Sequence, residues 1–249
     1  MKRSRRLVVV VASLLVLSGA VFAAASLARS SAAPQTTQEC HKVKVCVHVV
    51  GPWVAVPGTG EATWLLECSK RQGSVGGTDA RASSVHVHVW FDGQIGAPIS
   101  QGVTTGSFLL FHAVTDNGQP GSFEPLLGCI PVKKQSASRS TLSARRISAG
   151  IPGTPVGVPL QPRGTLVVLQ AGSKQTTSQS CQKKETLVGS WNGLAFGTKD
   201  PPTDVGSVLG SVTVKTSAEG TSVKAAIQTG GSLPLTDEAE VQIGAVCAP

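Results

Sequence analysis

Residues 68–76 read CSKRQGSVG and residues 181–189 read CQKKETLVG. Without a gap, each places Lys two positions after a cysteine, a second basic residue at three, Val at seven and Gly at eight. Each then runs on to a second cysteine with proline two residues beyond it, Cys129 before Pro131 and Cys247 before Pro249. The repeat predicts two related modules, over residues 40–132 and 164–249. It restricts the chain to folds in which each module brings two distant cysteines together.

Composition narrows the class of those modules. The chain has 249 residues, of which 41% are hydrophobic and only 14% charged, with 28 glycines. A typical soluble domain is about 25% charged, so this balance favours strands and turns over helices. Several stretches alternate apolar and polar residues at the strand period. Val43, Val45, Val47 and Val49 alternate with Lys42, Lys44, Cys46 and His48, and Val85, Val87, Val89 and Phe91 with Ser84, His86, His88 and Trp90. Val208, Val212 and Val214 followed by Val223, Ala225 and Ile227, with a turn at 218–220, read as a hairpin. Val241, Ile243 and Ala245 form a last strand that delivers Cys247. Residues 108–114, apolar on both faces, read as a central strand, and 165–171 as a short buried one. The expected fold is all-β: two tandem antiparallel β-sandwich-like domains stapled by disulfides, after an N-terminal signal helix.

Residues 1–25 carry a basic start, an apolar run from Leu7 and a small-residue site at Ala23-Ala24-Ala25, the pattern of a secretory signal peptide. The run at 7–25 approaches the length of a spanning helix, so an uncleaved anchor is the second reading and the only expected membrane contact. Residues 26–39 read as a flexible leader and 133–163 as a basic, Pro/Gly/Ser-containing linker. The formal charge is +8, and removing Lys2, Arg3, Arg5 and Arg6 with the signal leaves about +4. No acidic residue lies between Glu124 and Glu185, so an anionic cell-envelope polymer is one expected partner and an unidentified protein the other. No aromatics are set among the basic residues as a specific nucleic-acid reader needs. The turns and loops at 57–60, 73–82 and 94–106 are where recognition is expected.

Six cysteines in an exported chain are most simply three disulfides. The repeat selects Cys181 with Cys247 and, by analogy, Cys68 with Cys129. Cys40 and Cys46 remain, either closing a small loop on each other or sharing a different pairing in which Cys46 meets Cys68.

All five histidines lie in the first module: His41, His48, His86, His88 and His112. Two residues apart on one strand, His86 and His88 would have α-carbons about 6.6 Å apart, a spacing at which two imidazoles share one metal ion. Residues 85–93, VHVHVWFDG, resemble the copper-ligating His-x-His strand of copper–zinc superoxide dismutases. That family is also built on a β-sandwich. The resemblance ends there, since neither a His-rich zinc loop nor a His-Gly-Gly-Pro segment follows. It implies a copper or zinc site on His86 and His88, with His48 or His41 as a further ligand, and not dismutase activity. Serine-nucleophile and paired-carboxylate patterns do not assemble in the sequence. The expected function is therefore non-enzymatic binding or structural interaction, at the cell envelope or outside the cell. A metal-binding or metalloenzyme role on the His86/His88 strand face is the alternative, and otherwise no cofactor is expected.

Overall fold

The computed structural model describes residues 47–69, 73–93, 106–130, 153–154, 160–231 and 239–249. The expected signal peptide, the leader, His41, Cys40, Cys46, most of the 94–106 loop and the basic run at 133–146 lie outside them. In chain order the elements are β1 (Val47–Val50), β2 (Trp53–Val56), β3 (Ala62–Glu67), β4 (Ser74–Ala82), β5 (Val87–Gly93), β6 (Phe108–Thr115) and β7 (Gly121–Ile130). They continue with β8 (Gly153–Thr154), β9 (Gln161–Val168), β10 (Lys174–Ser180), β11 (Thr186–Phe196), α1 (Val205–Ser211), β12 (Val212–Glu219), β13 (Ser222–Thr229) and β14 (Ala239–Ala248). The protein is predominantly β, and among the described residues no helix is long and apolar enough to cross a membrane.

Among the described residues three sheets result. A seven-stranded sheet runs β1-β7-β2-β11-β14-β9 with β4 added on β7; a four-stranded one runs β3-β6-β5-β8, and a three-stranded one runs β10-β13-β12. All pairings are antiparallel except that of β5 with β8. The large sheet passes through both cysteine-bracketed segments, because Val54 and Trp53 of β2 pair with Ala195 and Phe196 of β11.

Two apolar cores lie against this large sheet. The first gathers Trp64, Leu66, Phe91, Leu109 and Phe111 of the four-stranded sheet against Val54, Val75, Phe123 and Leu127. The second gathers Val223, Ala225 and Ile227 of β13 with Val205 and Val208 of α1 against Phe196, Val241, Ile243 and Ala245. Alternation explains this packing: on β13 the odd-numbered residues are buried and the even-numbered ones are not, so strand period becomes one core face. Leu65, Leu110 and Trp191 form a third cluster that joins the halves.

Cys68 bonds Cys129 and Cys181 bonds Cys247, at sequence separations of 61 and 66. These are the pairs selected by the repeat, and two closed disulfides are the chemistry of an oxidising, extracytoplasmic compartment.

Several local expectations are corrected. Residues 73–82 are not a recognition loop, since Ser74–Ala82 is β4, paired along β7. β5 begins at Val87, so His86 lies in the turn before it and Val85 is 87% exposed rather than core-facing. Ser84 holds that turn, accepting Val87 N–H at its carbonyl (3.3 Å) and His86 N–H at its hydroxyl (3.3 Å). Val208 belongs to α1 and not to the hairpin, because the Asp204 side chain caps the helix by accepting Ser207 N–H at 3.2 Å. β9 starts at Gln161, inside the stretch read as linker, and ends at Val168, short of the 165–171 strand. The hairpin turn is tighter than expected: Glu219 pairs with Ser222, leaving Gly220 (φ 59°) and Thr221 as the two-residue loop.

Candidate functional site

The four-stranded sheet has one face in the first core and one face turned outward. On β5 the outward residues are His88, Trp90 and Asp92; on β6 they are Leu110, His112 and Val114; on β3 they include Thr63 and Leu65. Strand register sets Trp90 opposite His112 and His112 opposite Thr63. Trp191 covers the Leu65 and Leu110 end, which leaves the polar and aromatic part as a continuous surface.

His112 is the centre of that surface. Its Nδ1 meets Glu61 Oε1 at 2.5 Å and its Nε2 faces Asp92 Oδ2 at 3.3 Å. The Thr63 hydroxyl donates to the same Glu61 oxygen at 3.1 Å. Trp90 stacks on the imidazole, with centroids 5.6 Å apart and planes 11° from parallel. The ring is 13% exposed and the two carboxylates are 45% and 39% exposed, so a snugly held histidine lies between two wet acids. Nδ1 is thus hydrogen-bonded, whereas Nε2 is buried beside the Asp92 carboxylate without a hydrogen bond among the described residues.

A second cluster lies at the end of the same strands. Asp116, just after β6, meets His86 Nδ1 with one carboxylate oxygen and His88 Nε2 with the other, each at 2.8 Å. These hydrogen bonds, first that of His88 and then that of His86, hold the Asp116 carboxyl below the ordinary aspartate range. Asp116 N–H also donates to the His86 carbonyl at 3.2 Å, which fixes the backbone of the cluster.

The histidines named from the sequence therefore separate. His86 and His88 come together; His48 sits on β1 opposite Gly128 in the large sheet, near Glu124. Burial pushes the Glu124 carboxyl up, with Arg81 at 3.0 Å and His48 pulling the other way. Among the described residues, one set of three potential ligand atoms lies within 4.8 Å of one another: Cys181, Glu185 and Cys247. Its two sulfurs are already spent in a disulfide. Glu185 instead serves the turn after Cys181, receiving Gln182 N–H (2.7 Å) and Arg163 Nη2 (2.7 Å).

Sequence reasoning passed over His112, Glu61 and Asp92 as chemistry. The partners are remote in the chain, with Glu61 and His112 separated by 51 positions. The available signal was the alternation of β6, which puts His112 on the face opposite Leu109, Phe111 and Ala113. No family model matches the chain, and no curated protein matches it in sequence.

Proposed function

We propose that this chain is exported and works outside the cytoplasm as a non-enzymatic binding protein, with the outer face of β3, β6 and β5 as its recognition surface. The observation that carries the reading is the clamped His112. The Glu61 hydrogen bond and a stacked indole hold it in one position, with Asp92 beside its other nitrogen, which suits preorganised recognition. Trp90 adds to it, because Trp53, Trp64 and Trp191 are buried and Trp90 is only partly so. Partly exposed indoles are frequent anchors of binding surfaces. Export is supported by the two disulfides and by the signal pattern of residues 1–25.

Charge selects the partner. Glu61, Asp92 and Asp116 make this face suited to a protein segment bearing basic, amide or hydroxyl groups. An anionic cell-envelope polymer fits instead the solvent side of β10, β13 and β12, where Lys174, Lys215 and Lys224 stand exposed among Thr176, Ser178 and Ser217. One experiment distinguishes the two surfaces. Labelled protein is bound to intact cell envelopes, and W90A and E61Q are compared with K215A/K224A. Loss of binding in W90A and E61Q alone supports the proposed face. Loss in K215A/K224A alone would transfer the function to the lysine face, and no envelope binding by any form would sink the reading.

A further inference from the structure

We propose that His86, His88 and Asp116 form a surface site for a divalent transition-metal ion, zinc or copper(II), with two imidazole nitrogens and one carboxylate oxygen as donors. The site lies at the end of the recognition face and shares His88 and Asp116 with it, whereas His112 and Trp90 take no part in it.

The donor set is the first argument. Two imidazoles with one carboxylate suit zinc and copper(II) and are poor ligands for magnesium or calcium. Geometry is the second. Ligands held about 2.0–2.2 Å from a tetrahedral zinc ion stand about 3.3–3.6 Å from one another. His86 Nδ1 stands 2.8 Å from Oδ1 of Asp116 and His88 Nε2 stands 2.8 Å from Oδ2, so each ring already faces its own oxygen of one carboxylate, and a donor triangle built on either oxygen has one edge in place to within about 0.5 Å. The ion would replace the proton that each ring shares with Asp116. The other two edges, one of them between the two ring nitrogens, have to close, because the three ligand atoms do not all lie within 4.8 Å of one another.

Access is the third argument. The side chains of His86 and His88 are 49% and 55% exposed and Asp116 is 51% exposed, so rotating the rings inward meets solvent and not packed neighbours. The backbone beneath is nevertheless fixed. Val87 pairs with Thr115 and His88 with Val114, and the Asp116 amide bonds the His86 carbonyl, so the three Cα positions are set by one strand pair. Among the described residues Asp116 is the hydrogen-bond partner of each of the two rings. A shared carboxylate that orients two imidazoles is the preorganisation that a three-ligand surface site requires.

Zinc chloride and, separately, copper(II) sulfate are titrated into the chelator-stripped, disulfide-bonded full chain. Binding is followed by calorimetry, and for zinc also by the nitrogen-15 signals of the imidazole rings. The expected result is saturation at one ion per chain, with the His86 and His88 signals moving and that of His112 unmoved. H86A and H88A should each weaken binding by at least about tenfold, and D116N by about ten- to a hundredfold. H112A should leave affinity unchanged. Absence of saturable binding of both metals overturns the proposal. So does affinity that survives both H86A and H88A, or a signal change confined to other histidines in the unsubstituted protein, a readout that needs no variant to fold.

Discussion

Replacing Gln242 with Leu tests how the two halves are held together. Gln242 of β14 is 5% exposed, and its side-chain amide acts as a piece of strand for the free edge of β3. Oε1 accepts Leu65 N–H at 2.6 Å and Trp191 Nε1–H at 3.2 Å, while Nε2 donates to the Leu65 carbonyl at 3.0 Å. Leucine fills nearly the same volume and leaves all three groups buried without that partner. Each such group costs about 1–3 kcal/mol, and the added apolar side chain returns about 2 kcal/mol. A net loss of about 1–7 kcal/mol is the expectation, towards the lower end where the three costs overlap. With a urea slope of about 2.5 kcal/mol/M, the unfolding midpoint should fall by about 0.4–2.8 M. The informative companion is W191F, because it removes one of the three partner groups at its source. In the double variant Q242L/W191F the loss should be smaller than the sum of the single losses by about 1–3 kcal/mol. A Q242L loss below about 1 kcal/mol, or strict additivity in the double variant, would refute the strand-mimic account.

Three further outcomes follow from packing and charge. C68A/C129A and C181A/C247A each remove a constraint on a loop of separation 61 or 66 and should each cost about 4 kcal/mol by urea denaturation, on the chain-entropy account. Near-equal stability of oxidised and reduced protein would contradict it. G244A places a methyl group 2.0 Å from ring atoms of Trp191 and should cost more than the roughly 1–3 kcal/mol usual for overpacking, whereas G189A, whose methyl would meet Val246 at an ordinary 3.5 Å, should cost little. For Glu124 the sign comes from its raised carboxyl pKa: the folded state holds that proton more tightly than the unfolded one, so stability falls as pH rises from the unfolded value through the raised folded value. E124Q does not titrate, so its stability relative to the parent should improve between pH 4 and pH 7 in thermal melts, and a constant difference across that range would count against the burial argument.

What the chain states openly is whatever alternates. β13 and β14 are readable because Val, Ile and Ala recur at every second position, and β6 because it is a run apolar on both faces. β10 has no such signal: its sequence is KQTTSQS, and it packs through polar contacts, Gln175 Nε2 to the Val168 carbonyl (3.2 Å) and Thr165 to Gln179. β2 is too short to show a period and is buried on both faces. β7 is masked by Pro125, which a central strand ordinarily rejects. It is tolerated where β1 gives way to β2 along that edge, and its carbonyl accepts Gly51 N–H at 2.8 Å. At the site, His86 and His88 were visible as a local pair, but Asp116, Glu61 and Asp92 reach the imidazoles only through strand register. Composition carries no information about register.

The repeat itself shows how a one-residue difference in a turn changes what the same letter does. After Cys68 the chain closes with Gly73 N–H on the Ser69 carbonyl (3.2 Å), four residues back; after Cys181 it closes with Glu185 N–H on the Gln182 carbonyl (3.0 Å), three back. The first turn needs Gly73 at φ 83° and the second forces Lys184 to φ 78°. The following strands consequently start one residue apart. Val75 pairs with Cys129, but Leu187, one step earlier in the repeat, pairs with Cys247, and each strand then bulges before the next pair. Side chains alternate, so the shift exchanges faces. Val75 is fully buried, whereas its counterpart Val188 is 55% exposed and Leu187 packs on the second core. V75A should therefore cost about 1.5–3 kcal/mol, and V188A should stay within about 0.5 kcal/mol, both by urea denaturation. Equal costs would mean that the two turns deliver their strands in the same register, and that the repeated valine has one role in both copies.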